Sequence, residues 1–198
     1  MKKVFEINDK ELVNEIIDNT EFGTLAICKD NKPYSVPVNY VAINNEIYIH
    51  GKKKGKKIEI MQENSNASFS IVESYSILPS YFSTDDKRAN PATHMYKSII
   101  IDGHIEFIDD YNEKANALEF LMQKYQKEGG YIPLNDDIYK KIINATCIYK
   151  LVPSEVSAKF HLGQDHSEQR FQRISEHLKN RGTKKDLLTL KLIEKFRG

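Results

Sequence analysis

Three short β-rich runs between Phe22 and His50, separated by gaps too short to hold a helix, constrain this chain more than any other feature. The runs are Phe22 to Cys28, Tyr34 to Ala42 and Glu46 to His50. Asp30-Asn31-Lys32-Pro33 and Asn44-Asn45 lie between them. Both carry turn chemistry, because Asn and Asp tolerate left-handed backbone and proline presets φ. Parallel neighbours need a crossover of about a dozen residues or more, so these runs predict an antiparallel meander. Downstream, Ala67 to Val72, Met95 to Ile108 and Thr146 to Val152 read as further strands, with Gly103 as a bulge or bend. About six strands in short antiparallel connections predict a mainly β fold, a closed or nearly closed barrel with peripheral helices.

Helical periodicity fills the remainder. Asn8-Asp9-Lys10-Glu11 resembles a capped helix start, and Leu12, Ile16 and Ile17 give the stretch to Asn19 an apolar face. Lys53 to Glu63 places Ile58 and Met61 inward, and Tyr111 to Lys127 buries Ala117, Leu118, Leu121 and Met122 before Gly129-Gly130 stops it. Ser167 to Leu178 and Thr183 to Phe196 read as two last helices. Glu73 to Thr93, with Pro79, Pro91 and Asp85-Asp86-Lys87-Arg88, is expected to be a long loop whose Tyr75, Tyr81 and Phe82 could cap a site. The expected division is a barrel domain over 1-160 and a helical extension over 161-198.

A length of 198 residues suits one domain, and 40% hydrophobic with 29% charged residues at a formal charge of +1 is ordinary for a folded protein. Global charge therefore names no partner. No apolar run approaches the roughly 18 residues of a membrane span, and Met1-Lys2-Lys3 leads into Val4-Phe5-Glu6-Ile7-Asn8 rather than an apolar signal core. A cytoplasmic chain with no membrane partner is expected. Cys28 and Cys147 read as reduced core thiols, and the six histidines show no HExxH pairing, so no metal site is expected. Walker-type and GxGxxG loops are also missing from the sequence.

Gly51-Lys52-Lys53-Lys54-Gly55-Lys56-Lys57 falls where a strand ends and a short helix begins. A helix N-terminus offers unpaired N-H groups and partial positive charge, so ammonium groups beside it suit a phosphate monoester. A solvated basic turn is the alternative for that segment alone. Upstream, Pro37 interrupts the strand Tyr34-Ser35-Val36-Pro37-Val38-Asn39-Tyr40. A proline at an edge or bulge frees neighbouring backbone groups to face a ligand, although an ordinary edge strand would look the same.

These segments, followed by Ile47-Tyr48-Ile49-His50-Gly51 and Tyr96-Lys97-Ser98-Ile99-Ile100-Ile101-Asp102-Gly103, resemble the pyridoxamine 5′-phosphate oxidase-like FMN-binding proteins. The resemblance runs from roughly Glu21 to Lys159 and is closest in pattern to the nitroimidazole-reductase-like branch. It implies a six-stranded antiparallel FMN-binding split barrel, a homodimer, and FMN in clefts built from both subunits. By position, Val36, Pro37, Val38 and Asn39 would meet the isoalloxazine, and Tyr48, Ile49 and His50 would border the ring and ribityl chain. Lys56 and Lys57 would hold the phosphate, and Tyr96, Lys97 and Ser98 would lie at the same cleft. His50 is the candidate catalytic proton donor, against a structural, hydrogen-bonded histidine.

The implied activity is an FMN-dependent oxidoreductase acting on a small molecule such as a nitroaromatic or nitroimidazole, with NAD(P)H or another electron donor. The alternative is an FMN- or haem-binding sensor or regulator without turnover, a haem requiring His50, His161 or His166 as axial ligand. An Arg-rich substrate-phosphate motif and tryptophan are both missing, which argues against vitamin synthesis. Ala158 to Gln164 resembles a late element of some regulatory relatives, with Lys159 or Gln164 within reach of the cleft. The basic tail from Lys179 to Arg197 carries no helix-turn-helix signature, so packing of its Leu face with lysines in solvent is favoured over a nucleic-acid partner.

Overall fold

The computed structural model describes residues 2–197; Met1 and Gly198, the outermost residues of the two expected regions, lie outside them. The strands are β1 (Phe22–Lys29), β2 (Lys32–Asn39), β3 (Val41–Ile43), β4 (Glu46–Gly51), β5 (Asn66–Leu78), β6 (Thr93–Ile108) and β7 (Cys147–His161). The helices are α1 (Lys10–Asn19), α2 (Lys56–Glu63), α3 (Tyr111–Tyr125), α4 (Lys140–Ala145), α5 (Glu168–Arg181) and α6 (Lys184–Phe196). The sheet order is β2-β1-β5-β6-β7-β4-β3, a mainly β, antiparallel fold with peripheral helices, built on seven strands rather than six.

The seventh strand arises at Tyr40, where the run expected to continue to Ala42 breaks. Tyr40 is fully buried and its hydroxyl donates to the Ile17 carbonyl at 2.8 Å. Its backbone N-H leaves the ladder for the Tyr125 hydroxyl at 3.0 Å, and its carbonyl accepts from that same hydroxyl. A backbone pair satisfied by a side chain cannot also serve a strand partner, so β2 ends and β3 starts afresh.

The expected loop over Glu73 to Thr93 is also corrected. β5 continues to Leu78, leaving an irregular stretch with one 3₁₀ turn at Ser80–Phe82 before β6. Its second half breaks hydrophobic alternation because Ser76 is buried as a polar group, its hydroxyl donating to Asp186 Oδ1 at 2.6 Å. β7 likewise runs past Pro153 to His161, and α4 is an element the sequence reading lacked.

The chain divides into two compact units. The larger holds residues 10–71 and 99–157. There β1 pairs with β2 along its full length, and β4 pairs with β7 so that Ile49 faces Tyr149 and His50 faces Ile148. Ile47, Ile49, Tyr149 and Leu151 fill one face, while Tyr48 and Ile148 pack under α3 with Val41, Ile108, Ala117 and Leu121. β2 and β4 are not ladder neighbours, yet they touch, bringing distant members of the strand order together. Gly103 marks a close approach: a Cβ there would lie 2.0 Å from the Val152 carbonyl oxygen, so no other residue fits.

The smaller unit holds residues 2–9, 72–98 and 158–197. Its helices α5 and α6 meet at Gly182, in the left-handed region at φ 64°, after which Thr183 and Asp186 form a capping box. Asp186 is buried, accepts from Arg181, Ser76 and Thr183, and so fastens the start of α6 to β5. Tyr81 to Pro91 is held by α5: Arg173 pairs with Asp85, and Arg170 Nε donates to Ser83 Oγ at 3.2 Å. Phe82 stacks on His177 with centroids 4.5 Å apart. Among the described residues no helix is long and apolar enough to cross a membrane.

Candidate functional site

β4 delivers the chain to the lysine-rich turn, and Gly55, at φ 129°, supplies the left-handed backbone from which α2 starts. Gly55 has no side chain to cap the helix. Ile58 and Glu59 N-H groups return to its carbonyl, leaving the first-turn amides of Lys56 and Lys57 open to a ligand. Among the described residues, none of Lys52, Lys53, Lys54, Lys56 and Lys57 makes a salt bridge.

The two lysines at the helix start differ in setting. Lys56 is exposed and its Nζ lies 4.6 Å from the Tyr34 ring centroid. Lys57 is half-buried, with Nζ 5.5 Å from the Tyr149 centroid and in space that Gly51 leaves free: a Cβ on Gly51 would come within 3.3 Å of it. Burial lowers the Lys57 pKa against a smaller raising influence of the Cys147 thiol, so this ammonium has lost water without pairing with a carboxylate. Below it, the fully buried Tyr149 hydroxyl has no hydrogen-bond partner, and burial raises its pKa.

His50, one residue before the end of β4, is on the same face as Tyr48 and is exposed. Partial desolvation, then the nearby Lys57 ammonium, lower its pKa from 6.5, so the imidazole is neutral at pH 7. A neutral ring has one donor and one acceptor nitrogen, and proton donation from an imidazolium requires that the ammonium's field first be offset.

On β2, an outer strand of the sheet order, Val36 and Val38 are half-buried and Pro37 and Asn39 exposed. Pro37 faces Thr24 in register, a position where its missing N-H matters least because β2 has a ladder partner on one side alone. Asn39 Nδ2 donates to the Glu21 carbonyl at 3.1 Å. Tyr48 and Ile49 turn their side chains into the core; the Tyr48 ring lies under α3 and its hydroxyl donates to Glu113 at 2.8 Å. Of the expected residues, then, His50, Lys56 and Lys57 gather at one strand-to-helix junction, with β2 against β4. Tyr34, Gly51 and Tyr149 join them. Their signal in the sequence was slight: one glycine before the lysines and aromatics at period-two positions.

Tyr96, Lys97 and Ser98 belong to the smaller unit. Tyr96 packs on His161 with centroids 5.5 Å apart, and Lys159 Nζ sits 5.2 Å above it. Lys97 is buried in an aromatic cage, its Nζ 5.0 Å from Phe160, 5.5 Å from Tyr75 and 5.8 Å from Phe196, with Glu73 at 3.8 Å. That ammonium is already partnered, as a core cation-π contact. Ser98 is half-buried.

An uncapped helix start, an unpaired half-buried ammonium and a buried hydroxyl without a partner are what an anionic phosphate with a polar tail would satisfy. Among the described residues no cluster of His, Cys, Asp and Glu suits a metal ion.

Comparison with known proteins gives that junction a context. Residues 9–160 match the family model described as pyridoxamine 5′-phosphate oxidase. The protease synthase and sporulation protein PAI 2 of Bacillus subtilis is 22% identical over 189 residues, covering 90% of this chain and 88% of that protein. Among solved structures, a Bacteroides thetaiotaomicron protein assigned to 5-nitroimidazole antibiotic resistance superposes with a TM-score of 0.64 at 23% identity, covering 78% of this chain and 85% of its own. The FAD and haem binding protein of Mycobacterium smegmatis gives 0.65 at 18% identity, covering 78% and 72%. At these identities the structural likeness speaks to the fold.

Proposed function

The chain belongs to the pyridoxamine 5′-phosphate oxidase family, and from that premise we propose that it is an FMN-dependent oxidoreductase acting on a small electron-poor molecule, a nitroaromatic or nitroimidazole. The observation that carries the reading is Lys57, a half-buried ammonium without a counter-ion at the uncapped start of α2. Support for a flavin comes from the M. smegmatis relative that binds FAD and haem, and for a nitro substrate from the B. thetaiotaomicron relative tied to nitroimidazole resistance.

In this reading Lys57 and the amides of Lys56 and Lys57 hold the phosphate, with Lys56 screening its outer side. Val36, Val38 and the backbone around Pro37 offer an edge to the isoalloxazine ring, and Asn39 and His50 flank it. Tyr48 and Ile49 contribute backbone and support, their side chains being committed to the core. Bound flavin supplies hydride or single-electron transfer, and the protein supplies binding, orientation and a proton source. His50 is the candidate source, once a phosphate dianion offsets the Lys57 charge that keeps it neutral. The assembly we propose is a homodimer whose two subunits share each cleft, with NAD(P)H as electron donor.

An absorption spectrum of the purified protein, followed by anaerobic NAD(P)H, tests this. Flavin bands that bleach, with extraction yielding FMN, are expected. Flavin bands that persist under NAD(P)H and every other reductant tried point to the second reading, a cofactor-binding sensor. A colourless protein that refuses added FMN removes the proposal altogether.

A further inference from the structure

A second concavity lies within the larger unit and shares no lining residue with the lysine turn. It is a cleft of about 720 Å³ between the first turns of α3, the β3–β4 turn and the segment at Pro133. Four amide side chains line it: Asn44, Asn112, Asn116 and Asn135. Among the described residues none of the four makes a side-chain hydrogen bond. Tyr111 also lines the cleft as a partly buried side chain, and its hydroxyl has no hydrogen-bond partner within the chain.

The remaining polar lining is acidic. Glu119 reaches Tyr131 OH at 3.1 Å and the Leu134 N-H at 2.8 Å, and Glu113 accepts from Tyr48 OH at 2.8 Å. Behind Glu113, one ammonium, Lys150, is shared by three carboxylates: Glu46 at 3.0 Å, Glu113 at 3.6 Å and Glu106 at 3.9 Å. Three negative charges face one positive charge, and no cation lines the cleft itself. The local field is visible in Tyr48, whose pKa is raised by burial and then by Glu113 and Glu46.

The donor and acceptor inventory selects a ligand. Carboxylates only accept, whereas each Asn and the Tyr111 hydroxyl can accept as well as donate, so acceptors outnumber donors. A phosphate, sulfate or carboxylate ligand would face Glu113 and Glu119 with no counter-ion. We infer that this cleft is a binding site for a small organic cation, an amine or amidine, whose N-H groups meet the Asn and Glu acceptors. Tyr48 lines this cleft with its side chain while its backbone belongs to the proposed flavin site, but the inference does not depend on the flavin reading.

The experiment uses the full chain and three probes of the same shape: benzamidine (cation), benzamide (neutral) and benzoate (anion), titrated while following backbone and Asn side-chain amide signals by NMR. Benzamidine should shift the signals of Asn112, Asn116, Asn44 and Asn135 saturably at millimolar concentration, and benzoate should not. Glu113→Gln keeps an acceptor for the Tyr48 hydroxyl while removing the charge, and should weaken benzamidine by about tenfold, the equivalent of ~1.4 kcal/mol. Asn116→Leu, on the outer face of α3, provides a second block that leaves the Tyr48 and Lys150 contacts intact. Benzamidine that leaves these signals unmoved, benzoate that binds as well, or unchanged affinity in both variants would each overturn the inference. FMN content plays no part in the readout, so failure here leaves the flavin proposal standing, and the reverse also holds.

Discussion

At the scale of single residues, the junction of β4 and α2 is an electrostatic arrangement awaiting a negative charge. His50 is held neutral by desolvation and by Lys57, and Lys57 is held below its ordinary value by desolvation. A phosphate dianion at Lys57 reverses the second influence on His50, since an opposite charge nearby favours the protonated ring. The imidazole pKa should therefore rise when FMN is added, read as a shift in the titration of the His50 ring protons by NMR. A value that stays put would separate His50 from the phosphate site. Lys57→Met sharpens the same argument, because it removes a half-desolvated charge that has no partner. The flavin-free variant should be as stable as the parent or more so by thermal melting, yet FMN affinity should fall by about 1.5 to 3 kcal/mol, the worth of a charge-assisted contact. Much of this was legible beforehand, because glycine and lysine at a strand-to-helix step have few physical readings. What was not legible was the direction of side chains: Tyr48 and Ile49 sit beside His50 in sequence but point into packed layers, which only pairing with β7 and the cover of α3 decide.

At the scale of elements, the sequence spoke clearly where turns were short and alternation strict, as in β1, β2 and β4. It was silent where burial is polar. Ser76 and Thr189 are buried hydroxyls that look like surface residues in any hydrophobicity pattern, and they belong to the network that carries β5 to Leu78 and seats α6. Asp186 is the centre of that network, and its hydrogen bond from Arg181, followed by those from Ser76 and Thr183, holds its carboxyl far below the usual range against the cost of burial. Asp186→Asn should lower stability by about 2 to 4 kcal/mol, because the Arg181 charge loses its counter-ion and one of the two accepting oxygens becomes an amide donor facing other donors. The pH dependence has a definite sign. A carboxyl depressed in the folded state contributes stability above its unfolded pKa, near ~3.9, and loses it as pH falls further. Melting temperature in the parent should thus drop steeply below about pH 4, and the drop should be shallower in Asp186→Asn. Equal slopes in the two proteins would show that the carboxylate is not a source of the acid sensitivity.

For the whole molecule, a net charge of +1 conceals a strong internal asymmetry, with the lysine turn at one place in the larger unit and the acidic cleft beneath α3 at another. The asymmetry bears on assembly. β2 presents an unpaired edge next to the lysine turn, and in the function proposed above the groups gathered there would grip a phosphate more completely than they would enclose a flavin ring. A cleft completed by a second subunit, as we propose, couples cofactor to oligomer: a ligand that binds the dimer and not the monomer must draw monomers together by mass action. FMN should then raise the melting temperature and also lower the protein concentration at which the dimer forms, both measurable by sedimentation with and without cofactor. The apparent FMN affinity should weaken on dilution through that concentration range, and Lys57→Met should move the cofactor's effect on dimer formation to higher FMN concentration while leaving the cofactor-free dimer intact. If affinity instead stays constant from monomer to dimer, one chain holds the flavin alone, and the missing half of the ring's enclosure must come from this chain's own residues.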